Sequence, residues 1–339
     1  MNIVLIVLAV ALIAGLIYLF TLPNGYSVER QITINKPITQ VYDYVKNLEN
    51  WVHWSPWNIH DPNTVMTYDR PNEVGGSYAW DSKHIGIGSM TTLTAVPYVK
   101  MTMDLRFIKP FKSQADVQFL FDSNKTAGDA NSTTVTWRMQ CKMPLPMRPM
   151  VGMISRMIGN DFALGLGLLR GCLDPAAEYP ALGFDGVMHL SAQTCIGEAY
   201  EGSIDGLKDA FARIYPALYS EIEPNNIAGA GVAAYHRINV GKTASKMSTV
   251  CDITVPVKQA PAALSNTKTV QLPGGKYFQT TLRGSYEFIG PAWNASWGHL
   301  RMVKLKHDKS RPMLETYHQS RNDTPNSNEW VTYLAIPVK

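Results

Sequence analysis

Cysteine is scarce in this chain. Four thiols, Cys141, Cys172, Cys195 and Cys251, are spread over 339 residues, with no C-x-x-C and no histidine at metal-ligand spacing. That pattern argues against a zinc site. Separation along the chain cannot show which sulfurs meet, so the four are read as small buried thiols. Charge is sparse as well: 17% of residues are charged and the net charge is only +4. Without a basic stripe, no nucleic-acid partner is expected. Also missing are a G-x-S-x-G elbow, a Walker loop, a dinucleotide fingerprint and an H-E-x-x-H motif. Gly165-Leu-Gly167 falls inside a helical pattern and not at a strand–helix turn. No metal, no cofactor and no assignable catalytic residues are therefore expected.

One long apolar run is present. Asn2 to Phe20 holds no charged side chain, and at 1.5 Å per helical residue it just spans a bilayer's hydrocarbon core. No small-x-small cleavage site follows; Leu22-Pro23-Asn24-Gly25 reads as a helix stop. Residues 1–25 are thus expected to be a single-pass membrane anchor. Arg30 and Lys36 on the far side favour a cytoplasmic body by the positive-inside rule. The N-terminal signal-anchor pattern favours the opposite side, and the soluble part is expected to be extracytoplasmic.

Residues 26–173 read as one α+β unit. Tyr26 to Asn35 alternates like a half-buried strand, and Ile38, Val41, Tyr42, Val45 and Leu48 share one face of a helix. Trp51, Trp54 and Trp57 follow within seven residues. Then come short strands at Ser77–Trp80, Ser89–Val96, Val99–Phe107, Gln114–Asp122 and Thr133–Met139, separated by turn signals such as Gly75-Gly76. A long helix from Met150 to Leu173 closes the unit, its buried side read as Met153, Met157, Ile158, Phe162, Leu166 and Leu169. Val28–Asn35, Trp51–Trp57, Gly75-Gly76, Thr134–Trp137, Ile158–Phe162 and Gly165-Leu166 resemble the polyketide-cyclase/START-like superfamily. The resemblance implies a helix-grip fold with a deep apolar cavity, and Trp54 and Trp80 are expected to line it. Packing in the core accounts for these tryptophans equally well.

Asp174–Gly186 is rich in Pro, Gly and Ala and reads as a linker. Beyond it the sequence repeats. Glu201-Gly202-Ser203 answers Arg283-Gly284-Ser285, and each copy closes on Pro-Val-Lys, at Pro256 and Pro337, the offsets being 82 and 81 residues. A period this long with two copies points to one pseudo-symmetric domain, 187–339, built as strand-helix-strand-strand twice. Leu272–Tyr277, Gly284–Glu287, Ala292-Trp293, Leu314–Tyr317 and Ala335–Lys339 resemble the GyrI-like (gyrase-inhibitor-like) effector-binding domains. That resemblance implies a ligand cleft between the two copies, with aromatics around a buried glutamate, here Glu315. Where many members carry a second acid in the final strand, this chain has Tyr333, which counts against hydrolysis.

Alternation places Met313, Glu315 and Tyr317 on one strand face. In an aromatic cleft with Tyr277, Tyr317, Tyr333 and Trp297, a desolvated Glu315 would select a cationic ligand or serve as a general acid or base. The plain alternative is a solvated edge carboxylate beside a surface lysine. The expected function is membrane-anchored binding or sequestration of hydrophobic or cationic small molecules by two tandem domains. A hydrolase or cyclase using Glu315, and a module that inhibits a protein partner, are the alternatives.

Overall fold

The computed structural model describes residues 2–110, 112–124, 131–239, 247–260 and 267–339. The chain divides into two compact units, Met1–Ala177 and Glu178–Lys339.

In the first unit, the apolar run forms helix α1 (Asn2–Thr21). Its segment Ile3–Thr21 is long and apolar enough to cross a membrane. Strand β1 (Gly25–Ile34) follows, then α2 (Ile38–Lys46), which buries Val41, Tyr42 and Val45 at helical spacing, and the short α3 (Trp51–Trp54). Six strands complete an antiparallel sheet: β2 (Val65–Asp69), β3 (Ser77–Ser82), β4 (Gly86–Val96), β5 (Lys100–Lys109), β6 (Ser113–Asn124) and β7 (Ser132–Lys142). The order across the sheet is β1-β7-β6-β5-β4-β3-β2. Helix α4 (Val151–Leu173) lies against β1 and α3.

The grip on α4 is aromatic. Trp137 stacks on Phe162 with centroids 4.0 Å apart, and Trp51, Trp54 and Phe119 pack around Trp137. Gly165 allows this approach, since a Cβ there would come within 2.9 Å of both the Trp137 ring and Pro56. Truncating Phe162 to Ala should cost about 3–5 kcal/mol, as for other buried aromatics. Phe162, Leu166 and Leu169 face the core as expected, whereas Met153 is 46% exposed. The sequence reading extended the buried stripe one turn too far.

The second unit is one eight-stranded antiparallel sheet. Its elements run β8 (Ala181–Leu190), β9 (Gln193–Ser203), α5 (Leu207–Glu221), β10 (Val232–Asn239) and β11 (Ser248–Pro256). They repeat as β12 (Lys268–Leu272), β13 (Gly275–Arg283), α6 (Ile289–Met302), β14 (Met313–Gln319) and β15 (Val331–Pro337). The order β12-β9-β11-β10-β14-β15-β13-β8 is symmetric about its centre. The two edge strands are exchanged: β8 opens the first copy but pairs with β13, and β12 opens the second but pairs with β9. The segment read as a linker, 174–186, is therefore a strand in its second half. Its glycines obscured it, yet an edge strand tolerates them, and Gly186 at φ +85° sits where the β13 register shifts. Gly284, at φ +124°, makes the tight turn after β13, passing 2.5 Å from the Tyr179 carbonyl at the position a Cβ would take.

Candidate functional site

The symmetric centre of the second sheet is the pair β10–β14, with Ala233 opposite Glu315. These two residues are 82 apart, the repeat offset, so the pseudo-twofold relation maps each onto the other. The same offset relates Tyr235 to Tyr317 and, on the helices, Phe211 to Trp293 and Tyr215 to Trp297. Helices α5 and α6 cover this face of the sheet: α5 packs on β9 and β11, and α6 on β13 and β15.

Glu315 lies in the middle and is 2% exposed. Its Oε2 accepts a hydrogen bond from the Trp293 indole N–H at 2.8 Å and one from the Tyr235 hydroxyl at 3.4 Å. Its Oε1 accepts from the Tyr317 hydroxyl. A second ring of aromatics stands behind Tyr317: Phe211, Tyr215 and Tyr286, at centroid distances of 5.8, 5.7 and 5.6 Å, with the Trp330 ring tilted against Tyr286 at 4.6 Å. Among the described residues no ion pair engages Glu315. The buried Tyr215 hydroxyl has no hydrogen-bond partner among them either.

The electrostatics are set by burial. Desolvation pushes the Glu315 carboxyl above its ordinary value, against the pull of hydrogen bonds from Tyr317, Trp293 and Tyr235. Burial, reinforced by Glu315, holds the Tyr215, Tyr235 and Tyr317 hydroxyls well above the usual phenol range. These phenols remain protonated donors, so the carboxylate has only neutral partners. A charge in this position is desolvated and uncompensated by any cationic side chain, a costly arrangement for a resting protein.

The structure brings Glu315 and Tyr317 together and places the other expected residues elsewhere. Tyr277 and Tyr333 point to the opposite face of the sheet. Tyr277 sits in register with Pro337 and under the Arg311 guanidinium, 4.9 Å from its ring; Tyr333 pairs with Thr316 and lies against His318. Period-two alternation is the reason, since Glu315 shares its face with Leu334 and not with Tyr333. Trp297 is on the helix side but one turn beyond Trp293, in the cluster of Phe278, Leu300, Ile336 and Val338, with its ring against His307. The side chains gathered at Glu315 in their place are Trp293 and Tyr235, with Tyr215 behind Tyr317. The repeat offset was the signal that could have found Tyr235, because Tyr317 less 82 is Tyr235.

In the first unit, Trp80 lines an apolar cavity of about 50 Å³ together with Trp51, Trp57, Tyr78, Met90 and Phe107. Trp54 does not line it; it is fully buried between Trp51 and Trp137. Ligand pockets run to roughly 300–1,000 Å³, so this space admits small molecules only if its methionine and aromatic walls move. All four cysteines are free thiols, but only Cys195 and Cys251 are buried as expected, burial pushing them up to about 11 and about 12; Cys141 is half-buried and Cys172 exposed.

Comparison with known proteins bears on both units. Residues 26–171 match the family model described as polyketide cyclase / dehydrase and lipid transport, and residues 187–339 the GyrI-like small molecule binding domain. No curated protein matches the chain. Among solved structures, CalU16 from Micromonospora echinospora is similar at 13% identity and a TM-score of 0.32, over 44% of this chain and 75% of that one. The EcmrR C-terminal domain is similar at 12% identity and a TM-score of 0.38, over 48% and 98%. SAV2435, solved bound to tetraphenylphosphonium, is similar at 14% identity and a TM-score of 0.35, over 45% and 92%.

Proposed function

Since residues 26–171 belong to the polyketide cyclase / dehydrase and lipid transport family and residues 187–339 to the GyrI-like small-molecule binding domains, we propose that this chain binds lipophilic cations at Glu315. The membrane-crossing character of α1 supports a further reading, in which the chain is tethered to a bilayer and takes its ligand from the lipid phase or from water beside it.

One observation carries the proposal: a buried carboxylate whose hydrogen-bond partners are all neutral aromatics. An incoming cation supplies the missing charge, and the rings of Tyr235, Trp293 and Tyr317 add cation–π attraction worth about 0.5–2 kcal/mol. A neutral isostere gains the apolar burial and nothing from the carboxylate. Charge, not size, should therefore set the preference. Lipophilic cations also partition into membranes, where a tethered binder would meet them at high local concentration.

The test is a titration of the full chain in detergent with tetraphenylphosphonium and with neutral triphenylphosphine oxide, following quenching of tryptophan fluorescence. Wild type should bind the cation in preference. Glu315→Gln should lose at least about 1.4 kcal/mol of cation affinity, a tenfold change, and keep whatever affinity it has for the oxide. Equal binding of both compounds to both proteins would sink the proposal.

A further inference from the structure

Exposed apolar side chains are ordinary singly but informative when contiguous and next to a known apolar element. In the first unit an apolar strip, half-buried at Met143, Leu145 and Met147 and exposed at Met150 and Met153, runs from the end of β7 into the first turn of α4, interrupted by Pro144, Pro146 and Pro149. Met150 and Met153 are 42% and 46% exposed. The strip lies beside α1. Its 3-10 turn, Leu145–Met150, packs against that helix. The Met143 N–H donates to the Asn24 carbonyl at 2.8 Å, and Lys142 is in register with Gly25. Only Leu22, Pro23 and Asn24 separate the end of α1 from Gly25, at most about 3.6 Å of reach each.

The charges in the strip are of one sign. Lys142 and Arg148 lie within it, and residues 131–160 contain no Asp or Glu, the next acid being Asp161. The one acid within β1, Glu29, is already engaged by Arg138 at 2.6 Å. An apolar strip with a basic border beside a membrane-crossing helix matches the physical requirements of an interfacial segment.

We propose that Lys142–Met153 is a lipid-contacting surface. Its methionines enter the interface next to α1, and Lys142 and Arg148 pair with anionic headgroups. The first unit then rests on the bilayer and does not swing from a stalk. This inference depends on the reading of α1 as membrane-spanning, and the experiment separates the two.

The full chain, carrying Cys141→Ser and Cys172→Ser so that only the fully buried Cys195 and Cys251 remain, is labelled with bimane at Met150→Cys. A control is labelled at Val65→Cys, on β2 at the edge of the sheet opposite β1. Both are reconstituted into phosphatidylcholine vesicles, with or without phosphatidylglycerol, containing a lipid that bears a quencher near its headgroup. In anionic vesicles the Met150 label should be quenched severalfold more than the Val65 label. Each basic residue near an anionic surface is worth about a fivefold change, so Lys142→Gln and Arg148→Gln together should shift docking on the order of thirtyfold. The difference between the labels should then collapse. If the chain resists carbonate extraction yet both labels are quenched alike, the docking surface is refuted and the anchor stands. If carbonate strips the chain from the vesicles, the anchor reading fails and the docking surface fails with it.

Discussion

The two copies of the C-terminal repeat share strand order, helix placement and a tyrosine at equivalent positions, Tyr235 and Tyr317, yet they differ where they meet. The first copy offers Ala233 and Phe211; the second offers Glu315 and Trp293 at the same places. The first set can only fill space. The second supplies a carboxylate and an indole N–H that holds it at 2.8 Å. A symmetric scaffold thus carries an asymmetric site with one acid, and the symmetry-related tyrosines both donate to that acid. The repeat supplies the symmetric frame, and the difference at two positions gives its centre a carboxyl group.

Restoring symmetry with a second acid should have the largest effect. Ala233→Glu would set two buried carboxylates directly across the β10–β14 pair, leaving a like charge uncompensated at a cost of about 3–5 kcal/mol. The urea midpoint should fall sharply at neutral pH and recover as the pH is lowered and one carboxyl takes a proton.

Removing the acid should separate binding from stability. Because burial raises the Glu315 carboxyl, its contribution to stability is full below the ordinary carboxylate range and is lost as pH rises through the raised value. Glu315→Gln should therefore flatten that decline, giving a urea midpoint at pH 8 no lower than wild type. The same variant should lose the tenfold or greater share of cation affinity described above. A midpoint that drops at pH 8 would mean that the carboxylate is structural.

Making the second copy resemble the first is a milder change. Trp293→Phe deletes one hydrogen bond to Glu315 and should weaken cation binding by about 1 kcal/mol, as read by calorimetry. The smallest effect belongs to the residues on the opposite face. Tyr333→Phe and Tyr277→Phe should change cation affinity by less than about 0.5 kcal/mol, as remote substitutions do.

Much of this was legible in the sequence. Alternation in Met313–Tyr317 put Glu315 and Tyr317 on one face, and the helical spacing of Val41, Tyr42 and Val45 marked α2. The repeat announced a symmetric domain. Other features were not legible for physical reasons. The exchange of β8 and β12 is a pairing between distant segments, and a sequence read locally carries no record of partners. Tyr277 and Tyr333 were grouped with Glu315 because aromatics near a motif look like a cage, whereas strand register alone decides which face they take. Trp54 and Trp80 belong to the same aromatic cluster, and only packing distinguishes the plug from the wall of the 50 Å³ cavity.

The central claim is that the cation pairs with an ionised Glu315. The most direct measurement is calorimetric titration of the full chain with tetraphenylphosphonium, below and above the Glu315 transition, in two buffers of different ionisation enthalpy. On the acid side, binding should release up to one proton per cation, the release should vanish as the pH rises, and affinity should climb with pH. Glu315→Gln should show neither the proton nor the slope. Cation binding with no proton release at any pH, or with the same pH slope in both proteins, would contradict the account.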